Sequence, residues 1–330
     1  MIVAGGAFAI LLVLAIPIFG FAREIAFKGQ EPVARVEQSV LSLSEYAQIL
    51  GLRDYLLQAQ ADSLQRLSGQ AGDQLQSTLQ AVERARASLP SEVVDDWTSE
   101  QLIRQEASRQ GLTISPSEIT DSIKPEFDPL PAQGEEPKPL SDEEFQGRYR
   151  DFLSRAHTTD ALYRRMKEFT LFAQKLESRL KEQLPSTAPQ VRLQAILVST
   201  EEEAKNAVAR LDQGEDFALV ATETTRDTQS KETGGDLGWL PRGLLEKEVD
   251  DAAFSLTIGQ ISAPVEGGQG YYILKLLERE NSRDIEPSSL DKLKAGVLDR
   301  WLENAQETAR VDRYLTSDKI DWAEKQNRRR

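Results

Sequence analysis

The most constraining passage of the chain is Thr222–Gly243, "TETTRDTQSKETGGDLGWLPRG", in which Gly234, Gly235 and Gly238 follow a polar loop and precede a Pro-Arg-Gly turn. Glycines so closely spaced mark backbone that must turn tightly, because a residue without a Cβ enters left-handed conformations at little cost. The segments around them mix strand and helix. "VRLQAILV" alternates as a strand does, "TEEEAKNAVARLDQG" reads as a helix with Gly214 just past its end, and "DFALVATET" begins another. "LLEKEVDDAAFSL" is helical, "GQISAPV" reads as a short strand, and "GYYILKLLE" is a strand reached through Gly267, Gly268 and Gly270. This mixture implies a small α+β domain.

The flanks are helical. Pro32–Leu50 reads as two short strand-like segments running into a helix, with Ser42 and Glu45 at capping-box spacing. Ser68–Ala87, rich in Gln, Ala and charge, reads as a solvated helix or a partner-seeking surface. A second helix runs from Trp97 to a stop at Gly111, and a capped third starts near Ser115. "KPEFDPLPAQGEEPKPL" holds five prolines and reads as an extended loop, after which Ser141 opens one long helical tract to about Gln183. His157 falls in that tract as a solvated residue. "LPSTAP", Leu184–Pro189, marks a boundary, and from Ser288 the chain is helical again, ending in a basic Arg328–Arg330 tail read as disordered.

Met1–Ala22 contains no charged side chain and is about the length a helix needs to cross a bilayer core. It reads as a membrane anchor. A cleaved signal peptide is the alternative, with Gly20 and Ala22 at cleavage spacing, but the run is long for a signal core and no basic segment precedes it. That missing flank also leaves room for a start upstream of Met1. Arg23 and Lys28, on the C-terminal side, would by charge alone place the body inside.

Composition excludes several chemistries. A net charge of −14 argues against a nucleic-acid footprint. With no cysteine, disulfides and thiolate chemistry are excluded, and a single histidine argues against a multi-histidine metal centre or a Ser-His-Asp triad, so neither a metal nor a cofactor is expected.

Val191–Glu278 resembles the parvulin (rotamase) family of peptidyl-prolyl isomerases, on the strength of "AILVSTEEEAKNAVARLDQGEDFALVA", "DTQSKETGGDLGWLPRG", "EKEVDDAAFSLTIGQISAPV" and "GYYILKLLE". "PVARVEQSVLSLSEY", "LIRQEASRQGLTISPSEI" and "LDRWLENAQETARVDRYLTSDKIDW" resemble the chaperone region of SurA- and PrsA-type foldases. The resemblance implies an α+β fold: a four-stranded antiparallel sheet with flanking helices, inserted in an all-α chaperone region behind an N-terminal transmembrane helix. The expected boundaries are an anchor at 1–22, chaperone region at 30–187, parvulin domain at 188–281, a returning C-terminal helix at 284–323 and a tail at 324–330. It further implies a single-pass membrane foldase with its body on the extracytoplasmic side, overriding the charge argument. That foldase acts on unfolded or nascent secreted polypeptides at Xaa-Pro bonds. The alternatives are a non-catalytic holdase and an envelope interaction module.

By the same resemblance, Leu237, Leu245 and Val249 line the proline pocket with Phe254 just behind, Val249 standing where the family typically has Phe. Ala195 and Tyr272 occupy two strand positions where the family commonly has histidine. Asp227 falls at the family's acidic loop position, with Thr228 as the nearer match to its neighbour, and Gln269 is placed to touch substrate backbone. Tyr272 and Asp227 are the expected catalytic groups, and activity is expected to be reduced. Each has a plainer reading. The apolar residues also suit ordinary core packing, Tyr272 sheet packing, and Asp227 a turn.

Overall fold

The structure, a computed structural model, describes residues 27–67, 73–129 and 138–328. The Met1–Ala22 anchor expectation lies outside them. Two compact units divide the chain: one takes residues up to Leu176 and from Leu302 onward, the other is Glu177–Trp301. Among the described residues no helix is long and apolar enough to cross a membrane.

In the first unit, β1 (Pro32–Val36) and β2 (Ser39–Ser42) form an antiparallel hairpin that runs directly into α1 (Leu43–Leu67). Ser42 caps that helix, its Oγ accepting from the Glu45 N–H at 3.3 Å. α2 (Asp73–Arg109) follows, then α3 (Pro116–Ile123), a 3₁₀ turn at Lys124–Phe127, α4 (Asp142–Arg155) and α5 (Asp160–Gln183). Full capping boxes, Ser115 with Glu118 and Ser141 with Glu144, start α3 and α4. Phe127, Phe145, Tyr149, Phe152 and Tyr163 pack ring against ring, most of them edge to face, where α4 and α5 meet the 3₁₀ turn.

The second unit is built on β3 (Thr187–Val198). α6 (Glu201–Asp212) and α7 (Phe217–Thr224) come next, then β4 (Asp236–Pro241), α8 (Lys247–Ser255), β5 (Val265–Gly267) and β6 (Gly270–Asp284). The sheet is antiparallel with order β4-β3-β6-β5. Because side chains alternate across a strand, its two faces bury different sets. Ile196, Val198 and Ile273 meet Ala204, Ala207, Leu211, Phe217, Val220 and Ala221 of α6 and α7. Val191, Leu193, Ala195, Leu274 and Leu276 face the other way, onto Val249 and Ala253 of α8. The unit ends with α9 (Pro287–Ala295) and enters α10 (Val297–Thr308). The chain then returns to the first unit through β7 (Val311–Arg313), which pairs with the free edge of β1, and closes with α11 (Ser317–Arg328).

Several expectations from sequence are corrected here. The helical region is not all-α, since β2, β1 and β7 form a three-stranded sheet. The single C-terminal helix is three helices and a strand, broken by Gly296 and by the extended backbone of Val311–Arg313. Residues 324–328 are not tail: they continue α11, whose Trp322 and Ala323 are buried and whose Asn327 Nδ2 donates to the Ala47 carbonyl at 3.0 Å. The two helices expected across Ser68–Gly111 are one from Asp73 on, with Pro90 inside it. The long tract from Ser141 breaks at His157, which has φ of +47° in the turn between α4 and α5. "GQISAPV" is not a strand along its length: Ile261 makes an isolated bridge to Lys275, and only the last residue, Val265, enters β5. Of the proline-rich loop, Lys124–Phe127 is a 3₁₀ turn and residues 130–137 lie outside the described set.

Candidate active site

The α8-facing side of the sheet carries an apolar surface that is only partly closed. Leu237, Leu240, Leu245, Phe254, Val265 and Tyr272 are half-buried and pack on the enclosed cluster containing Ala195, Val249 and Leu274. Ala195 and Val249 are 5% and 2% exposed, so they form the floor of this surface, while Leu237, Leu245 and Phe254 are only half-buried.

The glycine run sets the frame. Gly235 has φ of +80°, and a Cβ on it would stand 2.4 Å from the Ala195 carbonyl oxygen. The Ala195 N–H in turn donates to the Gly235 carbonyl at 2.8 Å, so strand and turn are in direct backbone contact. Gly238, at φ of +71°, sits opposite an irregularity in the β3–β4 register. Asp236 fixes that irregularity by accepting from the Gly238 N–H at 2.8 Å and from Arg192 at 2.8 Å. Burial opposes ionisation of Asp236, yet those two donors hold its carboxyl below the usual range. The consequence is that Leu237 projects onto the α8 side.

Tyr272 and Asp227 come to one end of this surface. Tyr272 pairs across β3–β6 with Leu197, on the same face as Ala195 and one step along from it. Burial raises the Tyr272 phenol above its ordinary value, and the carboxylates of Glu246 and Asp227 raise it further. Its hydroxyl has no hydrogen-bond partner among the described residues, so it is available to donate. Asp227 lies in the loop before the glycines. Its carboxylate accepts from the Gln229 N–H at 3.1 Å and from Ser230 Oγ at 2.5 Å, an Asx-type turn. Thr225 Oγ1 ties that loop to the sheet by accepting from the N–H groups of Leu197 and Asp227 at 3.0 and 3.2 Å. Thr228 is exposed on the same loop. Gln269 is exposed at the tip of the β5–β6 turn, away from the enclosed cluster.

Sequence reasoning missed Glu246. It stands at the N-cap of α8 without capping that helix, and instead its Oε2 accepts from the Gly268 N–H at 2.5 Å. Glu246 Oε2 and Tyr272 Cε2 each lie 2.8 Å from where a Gly267 Cβ would be, which places the carboxylate beside the tyrosine ring. The usable signal was a glutamate at a position that favours Ser, Thr, Asp or Asn.

A four-stranded antiparallel sheet with helices on both faces and an apolar surface under a glycine-framed turn make up this domain. Residues 189–278 match the rotamase family, described as the PPIC-type PPIase domain, and form such a peptidyl-prolyl isomerase domain. The relatives are foldases. The foldase protein PrsA of Geobacillus kaustophilus is 34% identical over 149 residues, covering 45% of this chain and 53% of that protein. PrsA of Caldanaerobacter subterraneus subsp. tengcongensis is 30% identical over 215 residues, 64% of this chain and 62% of that one. The chain thus spans about half to under two thirds of the length of these relatives. The crystal structure of the peptidylprolyl isomerase PrsA from Bacillus anthracis is 25% identical, with a TM-score of 0.35, over 63% of this chain and 87% of that one.

Proposed function

We propose that this protein is a membrane-anchored, extracytoplasmic foldase that isomerises Xaa-Pro bonds in unfolded or nascent secreted polypeptides and shields them through its helical unit. The observation that carries the reading is the free Tyr272 hydroxyl at the end of the half-open Leu237–Leu245–Phe254 surface.

The chemistry asks little of the protein. Partial double-bond character gives the amide a barrier of roughly 18–20 kcal/mol, so unaided isomerisation takes tens of seconds or longer. No covalent intermediate is needed. A surface that holds the proline ring on Leu237, Leu245 and Phe254 removes water from the amide, which favours the twisted form in which nitrogen regains its lone pair. A donor such as the Tyr272 hydroxyl, already placed, stabilises the altered charge without reorganising. Ala195 supplies no polar group where the resemblance expects an imidazole, so the proposed activity is reduced rather than absent.

The anchored, extracytoplasmic placement rests on the uncharged run Met1–Ala22 and on the family's working environment. A reporter fused after Arg330 should be silent in the cytoplasm; a cytoplasmic signal overturns that placement.

A second reading, a holdase without catalysis, is favoured by Asp227, whose carboxylate is already engaged by Ser230 and Gln229. Protease-coupled turnover of a proline peptide by the full chain separates the two. Turnover above the buffer rate supports the isomerase. Turnover indistinguishable from buffer, with aggregation of a denatured client still suppressed, leaves the holdase.

A further inference from the structure

We propose that Glu246 makes this site select a cationic side chain immediately before the proline. The proposal rests on the isomerase reading of the Leu237–Tyr272 surface and adds the substrate class to it.

The reacting amide joins Xaa to proline. With the ring on Leu237, Leu245 and Phe254 and the amide at the Tyr272 hydroxyl, whatever flanks Tyr272 faces the Xaa side chain. Glu246 flanks it: its carboxylate oxygen and the tyrosine ring edge both crowd the Gly267 position, and its backbone directly follows Leu245 of the apolar surface.

The charges around the rim are unequal in how they are engaged. Arg242 lies over the Phe254 ring, 4.4 Å from its centroid, and pairs with Asp250 and Asp251. Arg226 donates to Ser199 Oγ at 2.6 Å, and Lys231 reaches the Thr225 carbonyl at 3.4 Å. Lys247 pairs with Asp251 at 3.4 Å. Each of these cations is directed at the chain itself. Glu246 is exposed and accepts one backbone N–H, from Gly268, which leaves its carboxylate charge uncompensated. A carboxylate accepts several hydrogen bonds, so a Lys or Arg of the substrate can share it without displacing Gly268. The Gly268 contact also holds the carboxylate in place, so less side-chain freedom is lost when a cation arrives.

The test uses the full chain in detergent and a peptide series Ala-Xaa-Pro-Phe with Xaa as Lys, Ala or Glu. The readout is the ratio of kcat/KM between Lys-Pro and Ala-Pro peptides within each protein. An exposed ion pair of this kind is expected to favour Lys by about three- to fivefold in the wild type, falling as salt is raised. Glu246→Gln keeps an oxygen for the Gly268 N–H and should bring the ratio to about one; Glu246→Lys should turn the preference towards Glu-Pro. A wild-type ratio near one, or a Lys preference unmoved by E246Q and by salt, overturns the proposal. The wild-type salt dependence serves where a variant fails to fold. If no peptide turns over, the isomerase reading fails separately, and binding of the same peptides followed by amide chemical shifts still decides: tighter Lys-Pro binding lost in E246Q supports the selection, equal binding refutes it.

Discussion

Gly235 and Ala195 touch backbone to backbone: a Cβ on Gly235 would lie 2.4 Å from the Ala195 carbonyl oxygen, and also 3.1 Å from the Ala221 Cβ. No flexible side chain can give way on the near side. The residue also holds a φ of +80°, which a β-carbon makes costly in itself. Gly235→Ala is therefore expected to destabilise the second unit by roughly 3 kcal/mol. Chemical denaturation of the variant against wild type measures it; a loss below about 1 kcal/mol would show that turn and strand separate without penalty.

The loop bearing Asp227 is held by one buried hydroxyl. Thr225 is 2% exposed and its Oγ1 accepts from the Leu197 N–H and the Asp227 N–H. Thr225→Val preserves the shape and removes the acceptor, leaving the buried Leu197 N–H without a partner. The expected cost is about 1–3 kcal/mol. Amide hydrogen exchange supplies the local readout: residues 226–230 and Leu197 should exchange faster in the variant, and unchanged protection there would refute the tether.

How much of this was legible in the sequence depends on the range of the interaction that decides each element. Gly234–Gly238 and the capping boxes at Ser115 and Ser141 are local, so the strand–turn frame and two helix starts could be read directly. α2 could not, because Pro90 as a helix interior residue goes against local preference. Burial of Leu89, Val93, Val94 and Trp97 around it keeps the helix continuous. β7 has three residues and exists only because the distant β1 offers an edge, which no local pattern announces. The site divides in the same way. Leu237, Leu245 and Tyr272 were placed by resemblance to a family frame, while Glu246 owes its position to Gly268, across the β5–α8 gap and far along the chain.

Asp250 gives the second unit a pH signature of definite sign. It is 6% exposed; burial raises its carboxyl above the usual range, against the opposing pull of the Gly243 N–H at 3.0 Å and of Arg242. A folded-state value above the unfolded one means the folded form holds the proton more tightly. The associated stability is complete below the unfolded aspartate range and is lost as pH rises through the folded value. At neutral pH the charge is thus a modest burden. Asp250→Asn, which retains an acceptor for Gly243, should leave stability at pH 7 unchanged or raised by up to about 1 kcal/mol, and should flatten its acid dependence. Asp250→Ala orphans the Gly243 N–H and should cost about 1 kcal/mol at any pH. Thermal melts of the three proteins between the acid and neutral ranges check both; a clearly destabilised Asn variant at pH 7 contradicts the sign.

The sharpest separation of chemistry from packing lies at Tyr272. Its ring packs on the cluster of Val249 and Leu274 and would do so equally as phenylalanine, so Tyr272→Phe removes the free hydroxyl and little else. Proline turnover by the full chain is expected to fall about three- to tenfold in kcat, with KM nearly unchanged and the melting temperature within about 2 °C, since a donor used only in the twisted state acts on kcat. Tyr272→Ala, by contrast, should lower stability as well. The pH profile adds an independent readout. Burial, Glu246 and Asp227 all hold the phenol above its ordinary value, so the wild-type rate should stay level beyond the usual tyrosine range, about pH 10, and fall only above it. Tyr272→Phe should lack that fall. A Phe variant with wild-type kcat and the same alkaline limb would assign the ring to packing alone and remove the hydroxyl from the mechanism.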